Sequence, residues 1–307
     1  MPKLKSADEK GIVLNAHSAL LLLAAVIVAR GTSFMMSKQL LSTLEPINLI
    51  ALRFLLAFTI LFLLFHKRVV PEVRRNPKII LASVILGGTY FLCMVAELNA
   101  MKYTDSSTCA FLENSAIVIV PIAEAILLRR LPERIIMISA AVTFCGIGFI
   151  VLKGGSMGFG KGEILAMVSA LLYTAAIIIG NRFSRRYDSF CLGVIYVGAI
   201  AAMGLVASFM TGTTRLPCTG YEWMLLILLA VVCSCFGFTF QPVAQEYLSS
   251  ETAGITAALN PLTAAILGSA LLGETFGVRG IIGAVLILAG IVIPNVVSHL
   301  KTRSSKE

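Results

Sequence analysis

Long apolar stretches alternate with short polar loops along the whole chain. Each stretch is close to the ~20 residues that an α-helix needs to cross the hydrocarbon layer of a membrane. None shows the alternation of apolar and polar residues that is typical of a β-strand. Because a spanning segment must satisfy its own backbone hydrogen bonds, the pattern predicts an all-α membrane protein with ten transmembrane helices. The predicted spans are 14–37, 46–65, 79–101, 104–128, 135–152, 163–180, 189–210, 222–244, 252–272 and 278–298.

Composition supports this fold class. Hydrophobic residues make up 58% of the chain and charged residues 13%, and the mean hydropathy is +0.91. A soluble domain carries about 25% charged residues. The loops are too short to hold a separate catalytic or binding domain, so we expect function to lie within the lipid bilayer.

Basic residues are concentrated in alternate loops, which gives the spans an orientation. If the N-terminus is cytoplasmic, most of the 25 lysines and arginines fall on the cytoplasmic side. With ten helices both termini are then cytoplasmic, as in a multi-pass protein of a bacterial-type plasma or inner membrane. The net charge of +9 is therefore explained by topology, and we expect no nucleic-acid partner.

Cysteine and histidine give no sign of a metal site or a disulfide framework. The seven cysteines lie mostly inside predicted helices without a repeated spacing, and the chain has only three histidines. Zinc sites and disulfide frameworks both need clustered, regularly spaced ligands. We expect no metal and no cofactor.

The sequence repeats itself at a shift of 144 residues, without a gap from about residue 97 to 151. Each half contains five predicted helices, in residues 14–152 and 163–298. Because five is odd, the second half enters the membrane inverted relative to the first, an arrangement typical of secondary transporters. The matched pairs are Tyr103 with Tyr247, Ser106 with Ser250, Thr108 with Thr252, Leu128 with Leu272, Ala140 with Ala284, Gly146 with Gly290 and Ile147 with Ile291.

The second half resembles a repeat of the EamA family of the drug/metabolite transporter superfamily. The features that carry this resemblance are Asn260-Pro261 in the ninth span, Gly273-Glu274 at its outer end, and the small residues around Gly283 and Gly290 in the tenth. In the first half, residues 31–34 (GTSF) resemble the glycine-led element of the family's first helix. The resemblance covers about residues 14–298, and it implies a ten-helix transporter of small metabolites, often an exporter of amino acids.

The first half departs from the family pattern at three places. Arg30 stands where the family commonly has tryptophan, and Arg129-Arg130 stand where a Gly-Glu pair is expected. Pro121 lies one turn later than the repeat partner of Pro261. The first half is therefore a specialised copy, with Arg53 at the position of the family's second-helix arginine.

Four ionisable residues lie inside predicted helices: Arg30, Arg53, Glu97 and Glu113. A charge at the centre of a spanning helix costs ~3 kcal/mol on insertion scales, so these side chains should avoid lipid. In one interpretation, arginine–glutamate pairs tie helices together and never touch substrate. In the other, the arginines bind a substrate carboxylate, and a glutamate meets the substrate amine or carries a coupling proton.

Glu113 and Glu124 are candidates for two steps of a proton path. On a continuous helix, eleven residues return to within ~20° of the same face, ~16 Å further along. The alternative for Glu124 is an interfacial ion pair with Arg129 or Arg130.

Three uncharged polar residues and two prolines complete the candidate site. Proline removes a helix hydrogen bond, so Pro121 and Pro261 are candidate helix breaks or hinges, although packing alone also explains a kink. The polar residues expected to bind substrate with the charges are Asn114, Gln241 and Asn260.

We therefore expect a transporter and not an enzyme.

 The expected activity is secondary transport, most often export, of a small polar metabolite such as an amino acid, by alternating access and without ATP hydrolysis. Two other classes stay open: an intramembrane enzyme that acts on lipid or peptide, and a membrane scaffold that transports nothing. The expected partners are a small-molecule substrate and the lipid bilayer, with the chain acting as a monomer or a homodimer.

Overall fold

A computed structural model describes residues 14–104, 106–129, 133–151 and 160–260, together with 262–263, 278, 281–283, 285–290 and 293. All secondary-structure elements in these residues are helices, which confirms the predicted all-α fold class. The elements are α1 (Ala16–Gly31), α2 (Ser33–Leu40), α3 (Pro46–Arg75), α4 (Lys78–Tyr103), α5 (Ser106–Glu113), α6 (Ala116–Leu128), α7 (Arg134–Val151), α8 (Lys161–Ser184), α9 (Ser189–Met210), α10 (Gly220–Leu228), a π-helix (Leu229–Phe238), α11 (Thr239–Gln245) and α12 (Ser250–Thr256).

Six helical stretches in the described part of the chain are long and apolar enough to cross a membrane. They correspond to the first, second, third, sixth, seventh and eighth predicted spans. The predicted total of ten stays a prediction, because the ninth and tenth spans lie partly outside the described residues and the fourth is divided in two. The six stretches are Ala16–Leu40, Pro46–Arg75, Lys78–Tyr103, Lys161–Ser184, Ser189–Met210 and Gly220–Gln245.

Helix α3 is ten residues longer than the predicted span 46–65. It begins with Pro46 in its first turn, where a missing N–H costs nothing, and continues through a polar segment to Arg75. The prediction ended where the apolar run ends, but lysine, arginine and glutamate are good helix formers in water as well. The helix stops at Asn76, which precedes Pro77 and has a non-helical backbone (φ −138°, ψ 75°).

Asp188 starts α9 and ties it to α3 at one end of the bundle. Its carboxylate accepts a hydrogen bond from the backbone N–H of Cys191 at 2.7 Å and lies 3.2 Å from Nη2 of Arg68. Partial burial acts to raise the pKa of Asp188, but the hydrogen bond from Cys191 and the charge of Arg68 outweigh it. The pKa of Asp188 therefore lies below its usual value.

The fourth predicted span, 104–128, is not one helix. A turn at Asn114–Ser115 separates α5 from α6, whereas Pro121, the candidate break, lies inside α6. A proline removes one backbone hydrogen bond, which a helix can lose without ending. The Asn114 side chain instead donates to the carbonyl of Ala110 at 2.7 Å, a local bond that competes with the helix.

A similar interruption occurs in the second half. Helix α12 ends at Thr256, and a turn at Ala257–Ala258 precedes further helical residues at 259–260 and 262–263. A shift of 144 residues carries Asn114 onto Ala258, so the two interruptions agree to within one residue. This agreement supports the internal repeat. Pro261 itself lies outside the described residues.

Glycines allow α4 and α9 to pack closely. A Cβ atom at Gly87 of α4 would lie 2.9 Å from the carbonyl oxygen of Tyr196 in α9. Small residues at such positions let membrane helices approach backbone to backbone. Helix α9 also packs along α3, and α4 along α8, so these four helices form the frame that holds the candidate site.

Candidate functional site

The four ionisable residues predicted to avoid lipid lie around one cavity. Arg30 is at the end of α1, Arg53 in α3, Glu97 in α4 and Glu113 at the end of α5, and all but Arg30 are buried. In this conformation the cavity has room for about one water molecule. The residues that line it are Arg30, Ser33, Phe34, Arg53, Met94, Glu97, Glu113, Phe238 and Asn260.

Helix ends bring several of these residues to the cavity. Helix α1 ends at Gly31, and the hydroxyl of Thr32 donates to the carbonyl of Ala29 at 2.7 Å where the chain continues into α2. A Cβ atom at Gly31 would lie 2.9 Å from Cβ of Thr263 and 3.0 Å from the carbonyl oxygen of Asn260. The break in the first span therefore packs directly against the ninth.

Arg30 is held by neutral partners. Its Nη1 donates to Oε1 of Gln241 at 2.5 Å. Its guanidinium carbon lies 4.3 Å from the ring centre of Phe238, 5.4 Å from that of Tyr173 and 5.5 Å from that of Tyr90. The faces of aromatic rings attract a cation at these distances. We call Phe238, Tyr173 and Tyr90 the aromatic cage of Arg30.

The π-helix packs against α1 and α3 and contributes Phe238 to the lining of the cavity. Ser234 in this segment accepts a hydrogen bond from Nε of Arg53 at 2.6 Å. Gly237 leaves space for Arg30, because a Cβ atom there would lie 2.7 Å from Cγ of Arg30. Such helices are rare and are often found at functional sites. The repeat-related segment, residues 85–94, is α-helical within α4, so the two halves differ here.

No direct ion pair joins these arginines and glutamates in the part of the chain that is described. Neither Arg30 nor Arg53 has a nitrogen within 4.0 Å of a carboxylate oxygen of Glu97 or Glu113. The interpretation in which arginine–glutamate pairs tie the helices together has no such pair in this conformation. The charges instead face a shared space.

Two buried oxygens at the cavity lack a hydrogen-bond donor among the described residues. They are Oε2 of Glu113 and Oδ1 of Asn260. The other oxygen of Glu113 has only a long contact, 3.9 Å, with the thiol of Cys93. Burying a polar group without a partner costs free energy. The cavity thus offers acceptors to a ligand that brings its own donors.

The remaining predicted site residues lie around the cavity or away from it. Gln241 is not a lining residue but contacts Arg30 directly. Asn114 and Glu124 are buried, yet neither is among the residues that line the cavity. The turn at Asn114–Ser115 also interrupts the continuous helix on which the alignment of Glu113 with Glu124 was calculated, so their shared face no longer follows from spacing.

Several residues of the site were not found from the sequence. Tyr90, Tyr173, Phe238 and Ser234 stand in apolar helices, where aromatic and hydroxyl side chains usually serve packing. The 144-residue shift gave one indication of these residues. It pairs Glu97 with Gln241, and Gln241 lies in the same helical stretch, Gly220–Gln245, as Phe238.

Comparison with known proteins agrees with the fold and the repeat. A model of the EamA-like transporter family matches residues 17–152 and 160–296. An uncharacterized transporter of Archaeoglobus fulgidus is 26% identical over 298 residues, which cover 93% of this chain and 100% of that protein. The uncharacterized transporter YcxC of Bacillus subtilis is 26% identical over 289 residues, with 89% and 91% covered. A solved crystal structure resembles the fold with a TM-score of 0.78, at 16% identity, over 92% of this chain and 98% of that one.

Proposed function

Since the chain belongs to the EamA-like transporter family, we propose that it is a secondary transporter that exports a small polar metabolite, such as an amino acid. The family and the named relatives make it an integral membrane protein of the transporter class. The nature of its substrate, the direction of transport and the coupling ion are what we propose here.

The observation that carries the proposal is that four charged side chains converge on one cavity without an ion pair among the described residues. Arg30 and Arg53 keep N–H donors beyond those used by Gln241 and Ser234, since a guanidinium has five. A planar guanidinium binds a carboxylate through two parallel hydrogen bonds. We therefore assign the substrate carboxylate to the arginines.

Glu113 is assigned the substrate amine or the coupling proton. Its Oε2 is buried at the cavity without a donor, so an ammonium group or a bound proton would satisfy it. Glu97 lines the same cavity and is the second carboxylate of the proposed site. Glu124 remains a proposed second step of the proton path on the far side of the helix break.

Alternating access accounts for the small size of the cavity. With room for about one water molecule, this conformation is closed around the site, so a metabolite must enter and leave through rearranged helices. The interruptions at Thr32, at Asn114–Ser115 and at Ala257–Ala258 are the proposed hinge points. Pro261 is included because a proline lacks the N–H that a helix hydrogen bond needs.

The proposed setting is the plasma or inner membrane, with both termini in the cytoplasm and a monomer or homodimer as the working unit. The concentration of basic residues in alternate loops supports this orientation.

Uptake and counterflow in proteoliposomes test the proposal. The purified chain is challenged with a panel of amino acids and related metabolites, with and without a pH gradient. We expect saturable flux of at least one carboxylate-bearing solute, driven by the gradient. Absence of flux for every solute, with folded protein in the liposomes, contradicts the transporter and favours a scaffold or an intramembrane enzyme.

The proton role is tested by Glu113→Gln, with Glu133→Gln as the control. Glu133 is exposed and directly precedes α7, so the same chemical change there should leave flux unaltered. We expect Glu113→Gln to lose the dependence of flux on the pH gradient. Gradient-driven flux that equals that of Glu133→Gln contradicts the role assigned to Glu113.

A further inference from the structure

Gln241 connects the aromatic cage to Arg30 through both ends of its amide. Its Oε1 accepts from Nη1 of Arg30 at 2.5 Å, and its Nε2 donates to the hydroxyl oxygen of Tyr90 at 2.7 Å. All three side chains come from different helices of the bundle. Tyr90 and Gln241 are both buried, so water does not compete for these bonds.

The chemistry of the three groups determines which of them donates and which accepts in each of these two hydrogen bonds. A guanidinium can only donate, so the amide must present its oxygen to Arg30. The amide NH₂ then needs an acceptor on its other side, which the hydroxyl oxygen of Tyr90 supplies. Without that acceptor the amide could rotate and turn its NH₂ toward Arg30, where it would repel the cation.

The amide at 241 is also notable because the repeat-related residue is the carboxylate Glu97. A carboxylate at 241 would accept from the same nitrogen of Arg30 but would also neutralise its charge in a charge-assisted, bidentate pair. The amide holds the guanidinium in place and leaves the charge uncompensated. No carboxylate among the described residues lies within 4.0 Å of Arg30 to replace it.

We propose that Tyr90 and Gln241 are positioning residues that hold Arg30 in a fixed orientation with its positive charge free for an anionic group of the substrate. The inference rests on the proposed function, because it assigns Arg30 to the substrate carboxylate. Neither residue needs to touch the substrate. Both act through Arg30.

The transport test compares Tyr90→Phe with Tyr221→Phe. Each change removes one hydroxyl that is bonded to a glutamine side chain, but Tyr221 lies at the surface, where it donates to Gln39 at 2.8 Å. Loss of one buried hydrogen bond changes an equilibrium constant, such as that for substrate binding, by about fivefold. We expect Tyr90→Phe to raise the KM for the carboxylate substrate about fivefold with the maximal rate within twofold, and Tyr221→Phe to leave both unchanged.

Gln241→Glu tests the role of the neutral amide. We expect this variant to raise the KM more than about tenfold, because its carboxylate competes with the substrate for Arg30. A wild-type KM in Gln241→Glu, or equal kinetics for Tyr90→Phe and Tyr221→Phe, overturns the inference. Melting temperatures in detergent identify any variant that fails to fold, and Tyr90→Phe, the smaller change, then carries the test.

A second readout does not depend on transport. Arginine residues are modified with a dicarbonyl reagent, and mass spectrometry gives the extent of labelling at Arg30 relative to Arg53 in the same sample. Arg53 is an internal reference, because its bond to Ser234 is untouched by these changes. We expect the ratio to rise several-fold in Tyr90→Phe and to fall in Gln241→Glu.

These readouts separate the two proposals. If wild-type protein moves no solute but the labelling ratio shifts as expected, the proposed function fails and the positioning of Arg30 stands. If wild-type protein transports while the ratio is the same in all variants, the positioning is refuted and the transporter stands.

Discussion

The close packing of α4 against α9 can be tested with two adjacent glycines. Gly87 faces α9, where an added Cβ atom would lie 2.9 Å from both the carbonyl oxygen of Tyr196 and Cβ of Ala199. At Gly88 the nearest atom is the flexible end of Met203, at 3.6 Å. Gly87→Ala should therefore separate the helices, whereas Gly88→Ala should fit without movement.

The expected magnitudes follow from two opposing effects. Replacing glycine by alanine inside a helix stabilises it by about 1 kcal/mol, and both variants share this gain. Overpacking a close contact costs about 1–3 kcal/mol, and only Gly87→Ala should show it. The difference between the two free energies of unfolding isolates the steric cost, at about 1–3 kcal/mol in favour of Gly88→Ala.

Thermal unfolding in detergent measures this difference. For a chain of this size, 1 kcal/mol corresponds to roughly 2–4 °C, so Gly87→Ala should melt roughly 2–12 °C below Gly88→Ala. Because α4 also carries Tyr90 of the aromatic cage, Gly87→Ala should weaken substrate affinity as well. Equal melting temperatures for the two variants would refute the packing of α4 on α9 described above.

Three further predictions concern the cavity, one helix end and the topology. Arg53→Met should raise the KM for a carboxylate substrate more than about tenfold, whereas Ser234→Ala, which removes only its anchor, should raise it about fivefold, as measured by counterflow. Asp188→Asn should lower the free energy of unfolding at pH 7 by less than about 1 kcal/mol, because Asp188 and Arg68 are both partly exposed. Since the pKa of Asp188 is below its usual value in the folded chain, this contribution is lost as the pH falls through that lowered pKa, and denaturation curves at several pH values check it. A fluorescent reporter fused after Glu307 should be cytoplasmic, and an extracellular reporter contradicts the topology.

Much of the fold and of the site can be predicted from the sequence, because the hydrocarbon of a membrane does not solvate charges or backbone polar groups. Charges such as Arg53 and Glu97 are too costly to face hydrocarbon, so their presence in apolar spans indicates a shared interior even before any contact is known. The structure places both at one cavity. The internal repeat could also be predicted from the sequence, because identical small and polar residues recur at a fixed spacing of 144 residues.

Other features of the site could not be predicted from the pattern of residues. Phe238 and Tyr173 look like ordinary packing residues in an apolar run, and only the fold brings them around Arg30. The π-helix has no distinctive composition. The helix break at Asn114 was missed because proline, at Pro121, is the stronger breaker by propensity, whereas the local hydrogen bond of an asparagine depends on the surrounding structure.

The most direct test of the account is a structure with bound substrate, using the solute that the flux panel identifies. We expect the ligand between α1, α3, α4 and α5, with its carboxylate hydrogen-bonded to Arg30 or Arg53 and its donors directed at Glu113 or Asn260. A ligand bound elsewhere, with none of these four side chains within hydrogen-bonding distance, contradicts the central claim that the buried charges form the transport site.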